Sequence, residues 1–186
     1  RAMAAYRHVN LNVGGGGGDP ERVRGVEATA RLFDVLGVPA SLGRVFRTDV
    51  DPSTAEAPVI VVSHSLWARR FAADPGAIGQ QIMVNGRGYT IVGVMPRTFR
   101  FPIGWLTSDV EAWIPLVFSP AEAVSRQETS LSVVARLGAA HTVAQAEDEL
   151  DVIARRLEAA YPATNTDWGT TVMPIAERVA SGLGRV

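Results

Sequence analysis

The sequence contains no cysteine and no lysine. The first absence excludes disulfides, thiolate zinc sites, iron–sulfur clusters and cysteine nucleophiles. The second leaves arginine to supply all 18 basic residues, a compositional bias rather than a chemistry. Neither sign of charge is in excess: 19 acidic residues against those 18 give a formal net charge of -1. A polyanion-binding domain is usually strongly basic, so nucleic acid is not an expected partner. No uninterrupted apolar run approaches the ~18 residues of a membrane span. The opening Arg1-Ala2-Met3-Ala4 lacks the apolar stretch of a signal peptide. Both ends therefore read as the interior of a longer protein. The chain itself has 186 residues, 47% of them hydrophobic, enough for one cored domain or one domain with an insert.

Alternation is clean from Arg7 to Val13, with Val9, Leu11 and Val13 on one face and His8, Asn10 and Asn12 on the other, which predicts a half-buried strand. It runs into five glycines, Gly14–Gly18, expected to be a flexible loop because glycine loses the most backbone entropy on ordering. A phosphate cradle would need a following Lys-Ser/Thr or spaced glycines, and neither is present. Val23–Thr29 reads as extended, Arg31–Leu36 as a short helix stopped by Gly37, and Val59–Val62 as a strand buried on both faces. Ser63 or Ser65 caps a helix over about Leu66–Ala73. From Gln80 the character turns to β. Asn85-Gly86 between Ile82–Val84 and Tyr89–Val94 marks a hairpin. Trp113-Ile114-Pro115-Leu116 reads as an edge strand because of its proline. Residues 77–127 thus form a small β unit. Leu131–Leu137 is a further strand. Thr142 and Gln145 then make a capping box before a helix whose apolar face runs through Val143, Ala146, Leu150, Ile153, Ala154 and Leu157. Thr170–Ile175 reads as a last strand, and Ser181–Val186 as a trailing linker.

No catalytic constellation assembles from these residues. His8, His64 and His141 share no helix face with a second ligand, which argues against zinc. Ser63-His64-Ser65 follows an apolar strand but lacks the glycines of a nucleophile elbow. Glu147, Asp148, Glu149 and Asp151 read as the solvated, dipole-matched start of the long helix. The aromatic loop Phe99–Trp105 has no periodicity. We expect Phe99, Phe101 and Trp105, together with the loop Asp49–Pro58, to be exposed and to touch a partner. No cofactor is implied.

The order of short motifs resembles the MacB-like periplasmic core domain of ABC transporter permeases, in the FtsX-like superfamily. The stretches that carry the resemblance begin with Glu21-Arg22-Val23-Arg24-Gly25, Leu32-Phe33-Asp34-Val35-Leu36-Gly37 and Leu42-Gly43-Arg44-Val45-Phe46. They continue through Pro58-Val59-Ile60-Val61-Val62-Ser63, Leu66-Trp67-Ala68-Arg69-Arg70-Phe71 and Tyr89-Thr90-Ile91-Val92-Gly93-Val94-Met95-Pro96. Trp113-Ile114-Pro115-Leu116, Val133-Val134-Ala135-Arg136-Leu137 and Tyr161-Pro162 complete them. Gly14–Gly18 and Gly138–His141 depart from the pattern. The resemblance spans about residues 20–175. It implies an α+β fold with a discontinuous porter-like α/β subdomain, 1–76 and 128–186, and an inserted β-rich subdomain, 77–127. It also implies an extracytoplasmic place between two membrane helices of an inner-membrane permease. The implied role is non-catalytic: coupling cytoplasmic ATP hydrolysis to the movement of a periplasmic partner or cargo. Implied partners are the permease's own membrane helices, an ATP-binding subunit or domain, a periplasmic adaptor and a second permease copy. A ligand-sensing or solute-binding domain is the first alternative, a periplasmic hydrolase acting near His64 the second.

Overall fold

The structure, a computed structural model, describes residues 2–15, 18–47, 58–101, 110–125 and 130–183. A long hairpin leads, β1 (Ala2–Gly15) and β2 (Gly18–Ala28), with Tyr6 opposite Ala28 and Leu11 opposite Val23. Of the glycine run, Gly14, Gly15 and Gly18 lie in strands and not in the expected loop. Gly14 and Gly15 end β1, Gly18 opens β2, and Gly15 pairs with Gly18. Gly15 sits at φ +99°, a backbone conformation that side chains rarely adopt, so glycine is required where the strand turns.

Helix α1 (Leu32–Leu36) ends as the sequence predicts, with Gly37 in the left-handed region and its N–H on the Phe33 carbonyl. The two-residue strand β3 (Leu42–Gly43) pairs with β6 (Arg87–Val94). Between them in sequence come β4 (Val59–Val62), α2 (His64–Phe71), a 3-10 turn at Pro75–Ala77 and β5 (Gln81–Val84). Ser63 is the cap of α2; its Oγ accepts the Leu66 N–H. Strand β5 pairs with β6 as the Asn-Gly signal predicts.

Strand β7 (Ala112–Pro115) corrects the sequence reading. It lies between β2 and β4, not at an edge. Its β4 partners stop at Trp113 and Ala112, so Pro115 stands past the end of that ladder and its missing N–H removes no bond there. Helix α3 (Pro120–Val124) follows, then β8 (Ser132–Arg136) against the first half of β1, and helices α4 (Val143–Ala160), α5 (Pro162–Asn165) and α6 (Ile175–Leu183). The expected strand at Thr170–Ile175 is absent. The stretch to Pro174 has no regular structure and Ile175 opens α6, which takes in the start of the expected linker. Ala176, Glu177 and Arg178 favour a helix, and Glu177 suits its first turn.

The pairings return on themselves. From β1 they pass through β2, β7, β4, β6 and β5, and Val13–Val84 and Gly14–Met83 bring β5 back to β1. Strand β8 adds to β1 outside this ring. Two apolar clusters fill the opposite faces. One gathers Tyr6, Val26, Val61, Trp113 and Val134 with Leu32, Phe33 and Val35 of α1. The other draws on all six ring strands, through Leu11, Val23, Ala112, Ile60, Ile91 and Ile82, with Leu66 and Phe71 of α2. Strand β4 shows why its sequence is apolar throughout: Val59 and Val61 enter the first cluster, Ile60 and Val62 the second. β1 changes sides midway, burying Ala4 and Tyr6 in one cluster and Leu11 and Val13 in the other. Strands from 77–127 bond on both sides to strands from 1–76, so the hydrogen-bonded sheet is continuous across the boundary near residue 77.

Candidate functional site

The aromatic residues expected at a partner surface fall in different places. Phe101 is only 8% exposed and belongs to the first cluster. Its ring meets Tyr6 edge-on at 5.4 Å between centroids, His8 at 6.0 Å and Trp113 at 6.3 Å. The expectation that Phe101 is exposed is thus corrected: aperiodic spacing hid a core anchor, because a loop residue needs no strand or helix period to be buried. Phe99 is half-buried, its ring 5.7 Å from Trp113 and 6.5 Å from Phe33. Trp105 and residues 49–57 of the expected contact loop lie outside the described residues. Trp113 is 1% exposed, and its Nε1 has no hydrogen-bond partner among the described residues.

Phe99 also lines an open hollow of about 440 Å³ with Leu36, Val38, Pro96, Thr98 and Arg100. Two chain segments build it. Leu36 at the end of α1 and Val38 just after it supply one wall, and the turn after β6 supplies the other. The Arg100 side chain donates to the carbonyls of Arg97 and Phe99, which fixes it over that turn. From β8, the Arg136 Nε donates 2.9 Å to the Val35 carbonyl, and its guanidinium lies against Gly37.

A polar network on the other side of the molecule escaped the sequence reading. Arg70 is 9% exposed. Its guanidinium gives two bonds to the Gly15 carbonyl, one to the Asp19 carbonyl and one to Glu21. Arg69 forks onto Glu111 at 2.9 and 3.0 Å and reaches Glu21 at 3.1 Å. Although partial burial opposes it, these two arginines hold the Glu21 carboxyl below its usual range. The signal was present in sequence: Arg70 stands four residues after Leu66, on the core side of α2, where a cation needs partners. A second pairing joins Arg7 to Glu27 and Glu122. The Arg7 guanidinium and the Ser119 cap bring the Glu122 carboxyl down to about 2.

The groups a hydrolase would need are engaged otherwise. Ser63 Oγ serves as a helix cap and lies 2.9 Å from Ser65 Oγ. The His64 ring packs edge-on against Trp67. Among the described residues, no group of three or more His, Asp or Glu side chains is placed to hold a metal ion. Asp148 and Glu149 of α4 are exposed as expected, while Asp151 accepts the Thr170 hydroxyl.

The fold is shared with extracytoplasmic parts of transport proteins. The periplasmic region of MacB from Actinobacillus actinomycetemcomitans superposes with a TM-score of 0.63 at 14% identity, over 100% of this chain and 77% of that one. The extracellular domain of the noncanonic ABC-type transporter YknZ from Gram-positive bacteria gives 0.59 at 14% identity, over 86% of this chain and 75% of that one. No curated protein matches the sequence. Residues 1–153 match the family described as MacB-like periplasmic core domain, and the chain belongs to that family. It is therefore a periplasmic domain of a MacB-like ABC transporter permease, a protein that has membrane helices and works with an ATPase. None of the described helices is long and apolar enough to cross a membrane.

Proposed function

We propose that this domain is a non-catalytic coupling element. It carries motion, driven by ATP hydrolysis on the far side of the membrane, to a periplasmic partner or cargo. The observation that carries the reading is the closed ring of six strands in a chain of this family. A ring bonded on every side and packed on both faces moves as one body, and an element that relays displacement needs that stiffness. The porter-like part (1–76 with 128–186) and the β-rich part (77–127) are then two roles carried by one sheet. Phe99, at the half-buried rim of the hollow, is the contact we assign to the partner, with Trp105 six positions further along the chain; the parent works as a dimer of copies, meeting a periplasmic adaptor.

This domain has no cysteine of its own, so a single introduced one reports on it once any cysteines elsewhere in the permease and its ATPase are replaced. Asn10, exposed on β1, is replaced by cysteine and spin-labelled in the full permease with its ATPase. The distance between labels on two copies should differ between the nucleotide-free and ATP-bound states. A distance that is identical in both states, or no distance between copies at all, overturns the reading.

The alternative of a ligand-binding domain is favoured by one observation, the hollow beside Phe99.

A further inference from the structure

We propose that the outer face of the β1–β2 hairpin binds an extended acidic segment of a partner protein, with carboxylates on alternate residues and an apolar side chain at the next alternate position. The site does not depend on the coupling reading. Strand alternation sorts the charges of β2. Glu21 and Glu27 fall on one face, where Arg69 and Arg70 hold the first and Arg7 the second. Arg22 and Arg24 fall on the other face, and both are exposed. The register sets Arg24 opposite Asn10 and Arg22 opposite Asn12, and both asparagines are exposed as well. Among the described residues, neither guanidinium has a hydrogen bond or an ion pair, and Asn12 reaches Asn85 through its backbone alone. These two rungs thus carry two cations and no anion. The next rung is apolar. Gly14 continues the face, and a methyl built there would touch Met83 and Pro20 at 3.8 and 3.9 Å. Glycine therefore leaves a shallow notch between two exposed apolar side chains.

Alternate residues of a strand stand about 7 Å apart on one face. A segment laid along the hairpin in extended form repeats at that same spacing. Carboxylates two positions apart then meet Arg24 and Arg22 in turn, and the next alternate side chain reaches the notch. Carboxylates on adjacent residues leave such a segment on opposite sides, so only one of them can meet the face. An arginine stays protonated at any working pH and offers a planar fork that matches a carboxylate. The asparagine across from each arginine adds a carboxamide donor. The platform is fixed at both ends, by β5 at Val13 and Gly14 and by β7 from Gly25, and Arg70 clamps its neck. Binding therefore orders side chains but no backbone of this domain.

Short, blocked, rhodamine-labelled threonine peptides serve as probes, with binding to the 186-residue chain read by anisotropy at low salt. One carries two glutamates on alternate residues and a valine two positions further on. The others place the glutamates side by side, replace both by lysine, or replace the valine by threonine. The alternating peptide should saturate, about threefold more tightly than the adjacent one, the factor that one exposed ion pair supplies, and about tenfold more tightly than the lysine one. Arg22→Gln and Arg24→Gln should each weaken it about threefold, and together about tenfold. Arg22→Glu combined with Arg24→Glu should make the lysine peptide the preferred one. Gly14→Ala, which the space around Gly14 accepts, should remove the gain of valine over threonine and keep the dependence on glutamate. Thermal unfolding of each variant checks that the fold persists. An alternating peptide that fails to saturate overturns the proposal, and so does binding that the double variant Arg22→Gln/Arg24→Gln leaves unchanged. Equal affinity for alternating and adjacent glutamates also overturns it, since a face that draws any anion by charge alone, free phosphate included, would give that result. A valine gain that survives Gly14→Ala overturns the apolar subsite.

Discussion

Ala72 and Ala73 follow α2 with φ at 51° and 57°, where a Cβ crowds the backbone. Glycine removes that cost at a helix end, so Ala72→Gly should stabilise the domain by about 1 kcal/mol, read as a rise of about 2–4 °C in the thermal midpoint. Arg70 predicts the opposite. Arg70→Met removes the guanidinium bonds to the carbonyls of Gly15 and Asp19 and leaves the Glu21 carboxylate to Arg69 alone, and should cost roughly 3 kcal/mol in denaturant unfolding. Arg70→Lys should recover only part, because one ammonium cannot span the acceptors a fork reaches. Phe101→Ser should destabilise by about 3–5 kcal/mol, the range for emptying a buried aromatic site, whereas Phe99→Ser should cost clearly less. Similar midpoints for the two variants would contradict their placement.

Much of the element order was legible because each signal is local. The period in Val143–Leu157, the capping box at Thr142 and Gln145, Asn85-Gly86 and the left-handed stop at Gly37 all act within a few residues. What sequence hid was set by distant partners. Pro115 looks like an edge marker until β4 is seen to stop short of it. The glycine run looks like a spacer until Arg70, more than fifty positions away, is found holding its neck. The candidate site divided in the same way: Phe99 is half-buried against the first cluster at the edge of the hollow, while Phe101 turned inward to Tyr6. Helix α4 is the instructive intermediate case. Its apolar face was read correctly as a pattern, yet none of its residues is fully buried and Ile153 is 49% exposed. Ile153→Gln should therefore change stability by less than about 0.5 kcal/mol, while Leu66→Ala in α2, fully buried, should cost about 3 kcal/mol. The ion pairs between elements add a pH dependence. The Glu122 and Glu21 carboxyls titrate below their unfolded range when folded. The unfolded chain thus binds protons first as the pH drops, so this contribution is complete above about pH 5 and fades as the pH falls toward 2. Arg7→Gln should flatten that acid limb in unfolding curves taken from pH 6 to 2.

At the scale of the whole molecule, one sheet serves both faces and a single hairpin crosses from one apolar cluster to the other. Any displacement of β1 is felt by α1 on one side and α2 on the other. The same ring sets the order in which the chain can become a protein. Its first hairpin forms from neighbours, but β2 waits for Ala112–Pro115 and the outer side of β1 waits for Ser132–Arg136. Such long-range closure belongs to the slow, millisecond-to-second class of folding. At about 5–20 residues per second, a ribosome leaves that hairpin unpartnered for several seconds. Through that interval Leu11 and Val13 are apolar strand residues whose cover, from β4 onward, has yet to be made, and that hairpin is where this domain would first need a chaperone.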